Sequence, residues 1–303
     1  MRVFVTGATG FVGSAVVAEL IAHGHQVLGL ARSDAAAATL AAKGAEVHRG
    51  DLEDLGSLRR GAELSDGVIH TGFIHDFHRF AEVCEVDARA IAALGEALAG
   101  TGKPLVVTAG VGFVAMGRLA LEADSAPPVS DAYPRQSEQA AAAVAGLGVP
   151  VSVVRLAPSV HGEGDHAFVP LLIAKARETG VSAYVGDGNN RWSAVHRLDA
   201  AALFRLALER GQAGATYHGV GEESIAFREI ALAIGRGLGL PVAPVPTEAA
   251  QGHFGWFTGF ATLDCPASSA ATQDRLGWRP GQAGLIADLD AGHYFAIDGA
   301  QGA

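Results

Sequence analysis

Thr6-Gly7-Ala8-Thr9-Gly10-Phe11-Val12-Gly13 is the stretch that decides the fold of this chain. It follows the apolar run Arg2–Thr6, which predicts a buried strand, and it opens a segment with the apolar spacing of a helix. Gly7 permits a sharp turn, Gly10 lets a pyrophosphate approach the backbone, and Gly13 lets the helix pack closely on the strand. The first turn of such a helix offers free N–H groups and a positive dipole end to phosphates.

Turns also use glycine for its backbone freedom alone, so the position of the loop matters. It lies at the start of the chain, directly after one predicted strand and before a second, which favours a dinucleotide site. The candidate cofactor-binding residues of the loop are Thr6, Gly7, Thr9, Gly10, Phe11, Val12 and Gly13.

Short apolar runs alternate with Ala-rich helical stretches through the first half of the chain. This alternation predicts an α/β fold, a Rossmann-type doubly wound parallel sheet with helices on both faces. Right-handed crossovers bring every strand's carboxyl end to one edge, where ligands bind. The predicted strands are Arg2–Thr6, Gln26–Leu30, Glu46–Arg49, Gly67–His70, Pro104–Thr108 and Val151–Leu156. The predicted helices are Phe11–His23, Ala35–Lys43, Val86–Ala99 and Ser137–Ala145.

The pattern loosens after Pro158, where a Gly, Asp and Asn cluster at 186–190 and a Pro-rich stretch at 241–246 interrupt it. A smaller second domain is therefore expected from the C-terminal half. Within that half, the aromatic stretch His253–Phe257 either lines a hydrophobic substrate cavity or packs in the core. The predicted division is 1–159 with 196–221 for the dinucleotide-binding domain, and 160–195 with 222–303 for the substrate-binding domain.

Composition limits the partners of this chain of 303 residues, of which 49% are hydrophobic. A net charge of −10 argues against a nucleic-acid-binding surface. No apolar run reaches about 18 residues, so we expect no membrane partner. The first residues run straight into the glycine loop, which leaves no room for an export leader, and Cys84 and Cys265 cannot make a disulfide framework. We therefore expect a cytoplasmic protein with a small-molecule substrate.

The end of the second predicted strand bears on the choice of cofactor. An NAD site would place an acidic residue there to hold the ribose hydroxyls, but Ala31 stands at that position. Arg32 and Ser33 follow, and a guanidinium beside a hydroxyl suits a 2′-phosphate. The alternative is a solvated surface arginine. The residues favour NADP(H) over NAD(H).

Together these stretches resemble the short-chain dehydrogenase/reductase superfamily, on its extended, NAD-dependent epimerase/dehydratase-like side. The resemblance rests on the glycine spacing and on three later segments at 160–165, 195–199 and 276–280, which read VHGEGD, VHRLD and LGWRP. It implies that Asp51 and Leu52 contact the adenine, although Asp51 could instead cap a helix. It also implies that Thr71, Gly72 and Phe73 line the nicotinamide side. A homodimer is a further expectation from this resemblance.

The catalytic residues depart from that resemblance. The superfamily uses a tyrosine and a lysine four residues apart, with the lysine lowering the tyrosine pKa. Tyr133 stands in the matching region, but Ser137 occupies the lysine position. None of the three lysines has a tyrosine four residues before it. Without lysine, another cation such as Arg135 would have to act on Tyr133.

Four side chains are candidates for the chemistry. Tyr133 is either the proton donor or a tyrosine that lines the pocket or caps a helix, and Thr108 replaces the hydroxyl after the fifth strand. His75 lies just past the fourth strand, and His161 should approach the substrate pocket. Either imidazole could act as acid or base, or be an ordinary loop or packing residue. Histidine spacing supports no metal site.

These residues predict an NADPH-dependent oxidoreductase that reduces a carbonyl, or a related C=N or conjugated C=C group, at a site lacking the usual lysine. Two alternatives remain at this stage. One is a non-redox enzyme similar to epimerases and dehydratases, which Arg32 and Ser137 disfavour. The other is a catalytically silent NADP-sensing or scaffold protein, which the missing lysine favours.

Overall fold

The computed structural model describes residues 1–296, and its central feature is a parallel sheet of seven strands in the order β10-β6-β5-β4-β1-β2-β3. The α/β prediction is confirmed: the sheet is Rossmann-like and carries helices on both faces. The strands are β1 Arg2–Thr6, β2 Gln26–Ala31, β3 Glu46–Arg49, β4 Gly67–His70, β5 Leu105–Gly110, β6 Val151–Leu156, β7 Ser159–His161, β8 Ser182–Val185, β9 Arg191–His196, β10 Thr216–Gly219, β11 Glu222–Ala226 and β12 Val242–Val245.

Successive side chains of each central strand point to opposite faces, so each face has its own apolar layer. Val3 and Val5 of β1 face α1 and α7, whereas Phe4 faces α3 and α4. Among the described helices none is long and apolar enough to cross a membrane. The helices are α1 Phe11–Ala22, α2 Asp34–Ala42, α3 Leu55–Glu63, α4 Phe80–Leu98, α5 Ser137–Ala145, α6 Phe168–Thr179, α7 Arg197–Arg210, α8 Phe227–Leu238, α9 Ala250–Phe254, α10 Thr258–Ala261, α11 Ala270–Leu276 and α12 Leu285–Asp290.

In the first half of the chain, helices α3 and α4 differ most from the sequence prediction, and strand β5 ends at Gly110 rather than Thr108. Helix α4 begins at Phe80 rather than Val86, because Val83 and Cys84 already belong to its buried face. Helix α3 was not predicted at all. Asp54 begins it by accepting a hydrogen bond from the Ser57 N–H at 3.0 Å.

A second body of structure forms from the later part of the chain. It contains a three-stranded sheet in the order β11-β9-β7 and the parallel pair β12-β8, around an apolar cluster that includes Trp192, Phe227 and Ile230. Ala267, Leu276 and Trp278 instead pack in the apolar layer of α1 and α7. The predicted division of the chain stays a prediction. It places every residue from 222 onward in the smaller domain, whereas Ala267, Leu276 and Trp278 pack with the larger sheet. The last residues of the predicted substrate-binding domain, 297–303, lie outside the described part of the chain.

The strand order places a crevice between β1 and β4. From β1 the chain runs outward through β2 and β3, and β4 then pairs with the other side of β1, with Thr6 opposite His70. Loops that leave neighbouring strands in opposite directions open a crevice at the carboxyl ends. The loops 7–13 and 71–79 meet at this point.

Candidate functional site

The glycine loop has the geometry needed for a bound pyrophosphate. Gly7 has φ +64°, and a Cβ there would lie 2.7 Å from the backbone of Gly72. At Gly13 a Cβ would lie 2.0 Å from the Gly7 carbonyl oxygen, so helix α1 packs directly on the loop. Gly10 begins α1 with no side-chain cap, and the first turn of the helix carries no acidic residue. The N–H groups of that turn are therefore open to an anion.

At the end of β2, Arg32 is exposed and makes no ion pair with any residue from 1 to 296. The Ser33 hydroxyl begins α2, where it accepts a hydrogen bond from the Ala36 N–H at 3.2 Å. Asp34, the first residue of α2, is held by the Arg49 guanidinium at 2.6 Å. Ala31 is buried. This edge therefore presents a free guanidinium beside a helix N-terminus.

The loop after β3 faces the same crevice. One carboxylate oxygen of Asp51 accepts hydrogen bonds from the N–H groups of Glu53 and Asp54, at 2.8 and 3.0 Å. Asp51 thus orders the turn before α3, and Asp54 rather than Asp51 caps that helix. Leu52 packs on Gly72, with its Cδ2 2.9 Å from where a Cβ would stand. An adenine contact by Asp51 and Leu52 stays a prediction.

A buried chain of hydrogen bonds ties the crevice together. The side chain of Thr6 lies 2.8 Å from Nδ1 of His70, whose Nε2 lies 3.0 Å from Asp87 Oδ1. The Ser137 hydroxyl donates to Asp87 Oδ2 at 2.6 Å. A neutral imidazole protonated on Nε2 satisfies every member. The Gly72 N–H also donates to the Thr6 hydroxyl, at 3.2 Å.

This chain joins β1, β4, α4 and the start of α5, which together carry the loops of the site. It also explains why the lysine position holds serine. Ser137 is fully buried and bonded to Asp87, so its side chain serves the fold. Sequence reasoning missed Asp87, although a signal existed: an aspartate on the apolar face of a helix needs a buried partner.

Tyr133 and Ser137 do not form a helical pair. Helix α5 begins at Ser137, and Tyr133 lies in the preceding loop, where its backbone pairs with that of Ser130. Burial raises the pKa of the Tyr133 hydroxyl. The Glu138 carboxylate raises this pKa further, while the Arg135 guanidinium opposes both. Tyr133 is therefore protonated at neutral pH and can act as a donor.

Arg135 is the cation of this site. Its guanidinium lies 4.5 Å above the centre of the Phe73 ring, and its Nε is buried without a hydrogen-bond partner. Among residues 1–296 it forms no ion pair. Its charge lowers the pKa of both Tyr133 and His75. The structure thus brings a guanidinium, but no lysine, to the tyrosine.

The other candidates for the chemistry differ in their surroundings. Thr108 donates its hydroxyl to the His70 carbonyl oxygen at 2.7 Å, which leaves the oxygen lone pairs as acceptors only. His75 keeps an exposed face between the rings of Phe73 and Phe77. Partial burial, followed by the charge of Arg135, lowers its pKa, so the imidazole is neutral at pH 7.

His161 lies in a different environment. It is 1% exposed, and its Nδ1 lies 2.9 Å from an oxygen of Asp288. Nearby, the Tyr294 hydroxyl donates to Asp165 at 3.0 Å and accepts from the Gly162 N–H at 3.1 Å. These bonds join the loop after β7 to α12 and the residues that follow it. The surroundings favour a structural role for His161, and its predicted catalytic role is untested.

A series of neighbouring aromatic side chains extends from Phe73 to Tyr133. Each ring lies 4.9 to 6.4 Å from the next, centre to centre, in the order Phe73, Phe80, Phe77, Phe260, Phe113 and Tyr133, with Trp256 stacked on Phe77. We call these seven residues the aromatic wall. Trp256 is 49% and Phe113 37% exposed. Within the stretch His253–Phe257, Phe254 and Phe257 are core residues and Trp256 faces outward. That the stretch lines a substrate cavity stays a prediction.

In the described part of the chain, no three His, Cys, Asp or Glu side chains are arranged to hold a metal ion.

Comparisons with known proteins agree with this architecture. The model of the NAD dependent epimerase/dehydratase family matches residues 3–220. An uncharacterized protein of Saccharomyces cerevisiae is 49% identical over 97% of this chain and 99% of its own length. The 4-hydroxy-2-methyl-3-oxo-4-farnesyl-3,4-dihydroquinoline-1-oxide ketoreductase of Stigmatella aurantiaca is 30% identical over 83% of this chain and 78% of its own. The dTDP-glucose 4,6-dehydratase structure from Streptomyces venezuelae, with NAD bound, is 24% identical with a TM-score of 0.78, covering 97% of this chain and 96% of that one.

Proposed function

The chain belongs to the NAD dependent epimerase/dehydratase family, and from that premise we propose that it is an NADP(H)-dependent oxidoreductase that reduces the carbonyl group of a small molecule. The observation that carries the proposal is the pairing of an open phosphate cradle with a protonated Tyr133 across one crevice. The name of the Stigmatella relative, a ketoreductase, supports reduction as the reaction.

The residues of the crevice fit a nicotinamide dinucleotide. The first turn of α1 would hold the pyrophosphate, since its N–H groups are uncapped and the close packing at Gly13 leaves the loop in place. Arg32 and the N-terminus of α2 would hold a 2′-phosphate, because Arg32 has no ion pair within residues 1–296 and the adjacent Asp34 is already paired with Arg49. Thr71, Gly72 and Phe73 would face the nicotinamide.

The chemistry then needs a hydride and a proton. The reduced nicotinamide, when bound, supplies the hydride to the carbonyl carbon. Tyr133 gives its proton to the carbonyl oxygen, which becomes more basic than a phenolate as negative charge develops. Arg135 stabilises the phenolate that remains. The Thr108 hydroxyl, which donates to the His70 carbonyl oxygen, would have to rotate before it could donate to the substrate carbonyl.

A cofactor titration tests this proposal. NADPH should bind at least about tenfold more tightly than NADH, and Arg32→Ala should remove the difference. Arg60→Ala is the matched control, because Arg60 is an exposed arginine in the last turn of α3, toward the other edge of the sheet. Equal binding of both nucleotides to the unaltered protein would refute the NADP preference. Absence of binding by either would refute the proposed function itself.

A further inference from the structure

The clearest unexplained feature of the crevice is Arg135. A half-buried guanidinium ordinarily has a carboxylate partner or a full set of acceptors, because an unpaired charge loses its hydration without compensation. Arg155, bonded to Glu138 at 2.7 Å, and Arg205, bonded to Glu19 at 2.8 Å, follow this rule. The half-buried Arg197 instead lies over the Phe11 ring and, within residues 1–296, likewise forms no ion pair. Within residues 1–296, Arg135 has only the Phe73 ring.

The carboxylates that share neighbours with Arg135 are already engaged elsewhere. Glu138, whose charge raises the pKa of Tyr133, accepts hydrogen bonds from Arg155 on both of its carboxylate oxygens. Asp87 lies near Cys84, whose thiol pKa its charge raises while the charge of Arg135 lowers it. Asp87 is bonded to His70 and Ser137. His75 does not repel an anion but adds no charge either, since its imidazole is neutral at pH 7. Within residues 1–296, neither of these carboxylates pairs with the Arg135 guanidinium.

The position of Arg135 also points to a ligand. Phe73, beneath the guanidinium, is the first ring of the aromatic wall, and Tyr133, two residues before Arg135, is the last. The Arg135 guanidinium thus lies over the first ring of the series and close enough to the last, Tyr133, to lower its pKa. Partly exposed aromatic surface of this kind is typical of binding sites rather than of bare protein surface. A guanidinium at its end suits a carboxylate, which it can bind through two parallel hydrogen bonds.

We propose that Arg135 binds a carboxylate of the substrate, so that the protein acts on oxo acids whose apolar body, aryl or extended alkyl, lies against the aromatic wall. The inference rests on the proposed function for the reaction but concerns only what the crevice recognises. The carboxylate completes the hydrogen bonds of Arg135 and brings a neighbouring keto group to the Tyr133 hydroxyl. The wall excludes water from the remainder of the molecule.

The test uses benzoylformate and its methyl ester, which share an aryl ketone and differ in charge. Binding is measured by calorimetry on the full chain, first with saturating NADP⁺, where no reduction can occur, and then without nucleotide. We expect benzoylformate to bind at least about tenfold more tightly than the ester. Arg135→Gln should abolish this ratio, and Arg135→Lys should retain part of it, because an ammonium keeps the charge but not the two-pronged geometry.

Arg210→Gln is the matched control. Arg210 is the exposed last residue of α7, close to where β6 begins, and so lies at the opposite edge of the sheet from the crevice. The ratio should be unchanged in this variant. Circular dichroism and the melting temperature of each variant separate a lost contact from a lost fold.

Three results would overturn the inference. They are equal binding of acid and ester, a ratio that survives Arg135→Gln, and no binding of benzoylformate to the unaltered protein. A fourth, in which Arg135→Gln weakens NADPH while the ratio persists, assigns the guanidinium to the nucleotide and also overturns it. Because the titration needs no turnover, a protein that binds the acid through Arg135 but oxidises no NADPH refutes the proposed function alone. Turnover of neutral ketones by a protein whose acid-to-ester binding ratio survives Arg135→Gln refutes the inference alone.

Discussion

Replacement of Asp87 tests the buried hydrogen-bond chain beneath the site. Asp87 is 3% exposed and accepts two hydrogen bonds, from His70 at 3.0 Å and from Ser137 at 2.6 Å. In Asp87→Asn the amide oxygen can accept only one of them, and the amide N–H₂ faces the other donor. One buried donor then lacks an acceptor, which costs about 1–3 kcal/mol.

Two further variants, Asp87→Ala and Ser137→Ala, should bracket the loss of stability in Asp87→Asn. Asp87→Ala leaves both His70 and Ser137 without an acceptor and opens a small cavity, so the free energy of unfolding should fall by about 3–5 kcal/mol. Ser137→Ala removes a single donor and should cost about 1–2 kcal/mol. Asp290→Asn is the control, because Asp290 pairs with Arg236 at the surface and its loss should cost less than about 1 kcal/mol.

The assay is urea unfolding at pH 7, followed by tryptophan fluorescence and by circular dichroism. The chain also joins Thr6 to Gly72, so Asp87→Asn should weaken NADPH binding more than Asp290→Asn does. If Asp87→Asn unfolds within about 0.5 kcal/mol of the unaltered protein, the network does not stabilise the crevice and the account of Ser137 is wrong.

The remaining predictions concern the loop, a buried histidine and the aromatic wall. Gly13→Ala should abolish nucleotide binding in calorimetry, because the added Cβ would stand 2.0 Å from the Gly7 carbonyl oxygen; unchanged affinity would contradict the loop geometry. Burial lowers the pKa of His218 below its ordinary 6.5, so the folded state favours the neutral ring. Stability should therefore fall as the pH drops below about 6.5, by up to about 1.4 kcal/mol per pH unit, and His218→Gln should flatten this slope in urea unfolding at pH 7, 6 and 5. Trp256→Ala should raise KM for aryl ketones about tenfold while the Kd of NADPH stays constant. A change in the Kd of NADPH alone would contradict the placement of the substrate against the aromatic wall.

The architecture could be predicted from the sequence because its signals are local. The spacing of Gly7, Gly10 and Gly13 between a strand and a helix, and the alternation that follows, each depend on residues close together in the chain. The predicted bounds of β3, β4, β6 and α5 match the structure. The start of α4 was missed because Glu82 and Glu85 obscure the apolar face that Val83 and Cys84 begin.

The site was predictable only in part, because its members come from distant segments. Tyr133 was predicted from its position in the chain. Because helix α5 begins only at Ser137, Tyr133 and Ser137 do not lie one helical turn apart, as their spacing of four residues suggested. The aromatic wall draws rings from segments as far apart as Phe73 and Phe260, and no periodicity connects them. The isolation of Arg135 depends on where every nearby carboxylate points, which only the folded chain determines.

The most direct measurement of the central claim is NADPH consumption with a panel of aryl and alkyl ketones and oxo acids, by unaltered protein and by Tyr133→Phe. The account predicts turnover by the unaltered protein, a fall in kcat of about 10²–10⁴-fold in Tyr133→Phe, and an unchanged Kd for NADPH. His75→Asn should keep most of the activity. Full activity of Tyr133→Phe, or a large loss of activity in His75→Asn instead, would contradict the role of Tyr133 as the proton donor. Absence of turnover with every carbonyl compound would contradict the proposed reductase activity.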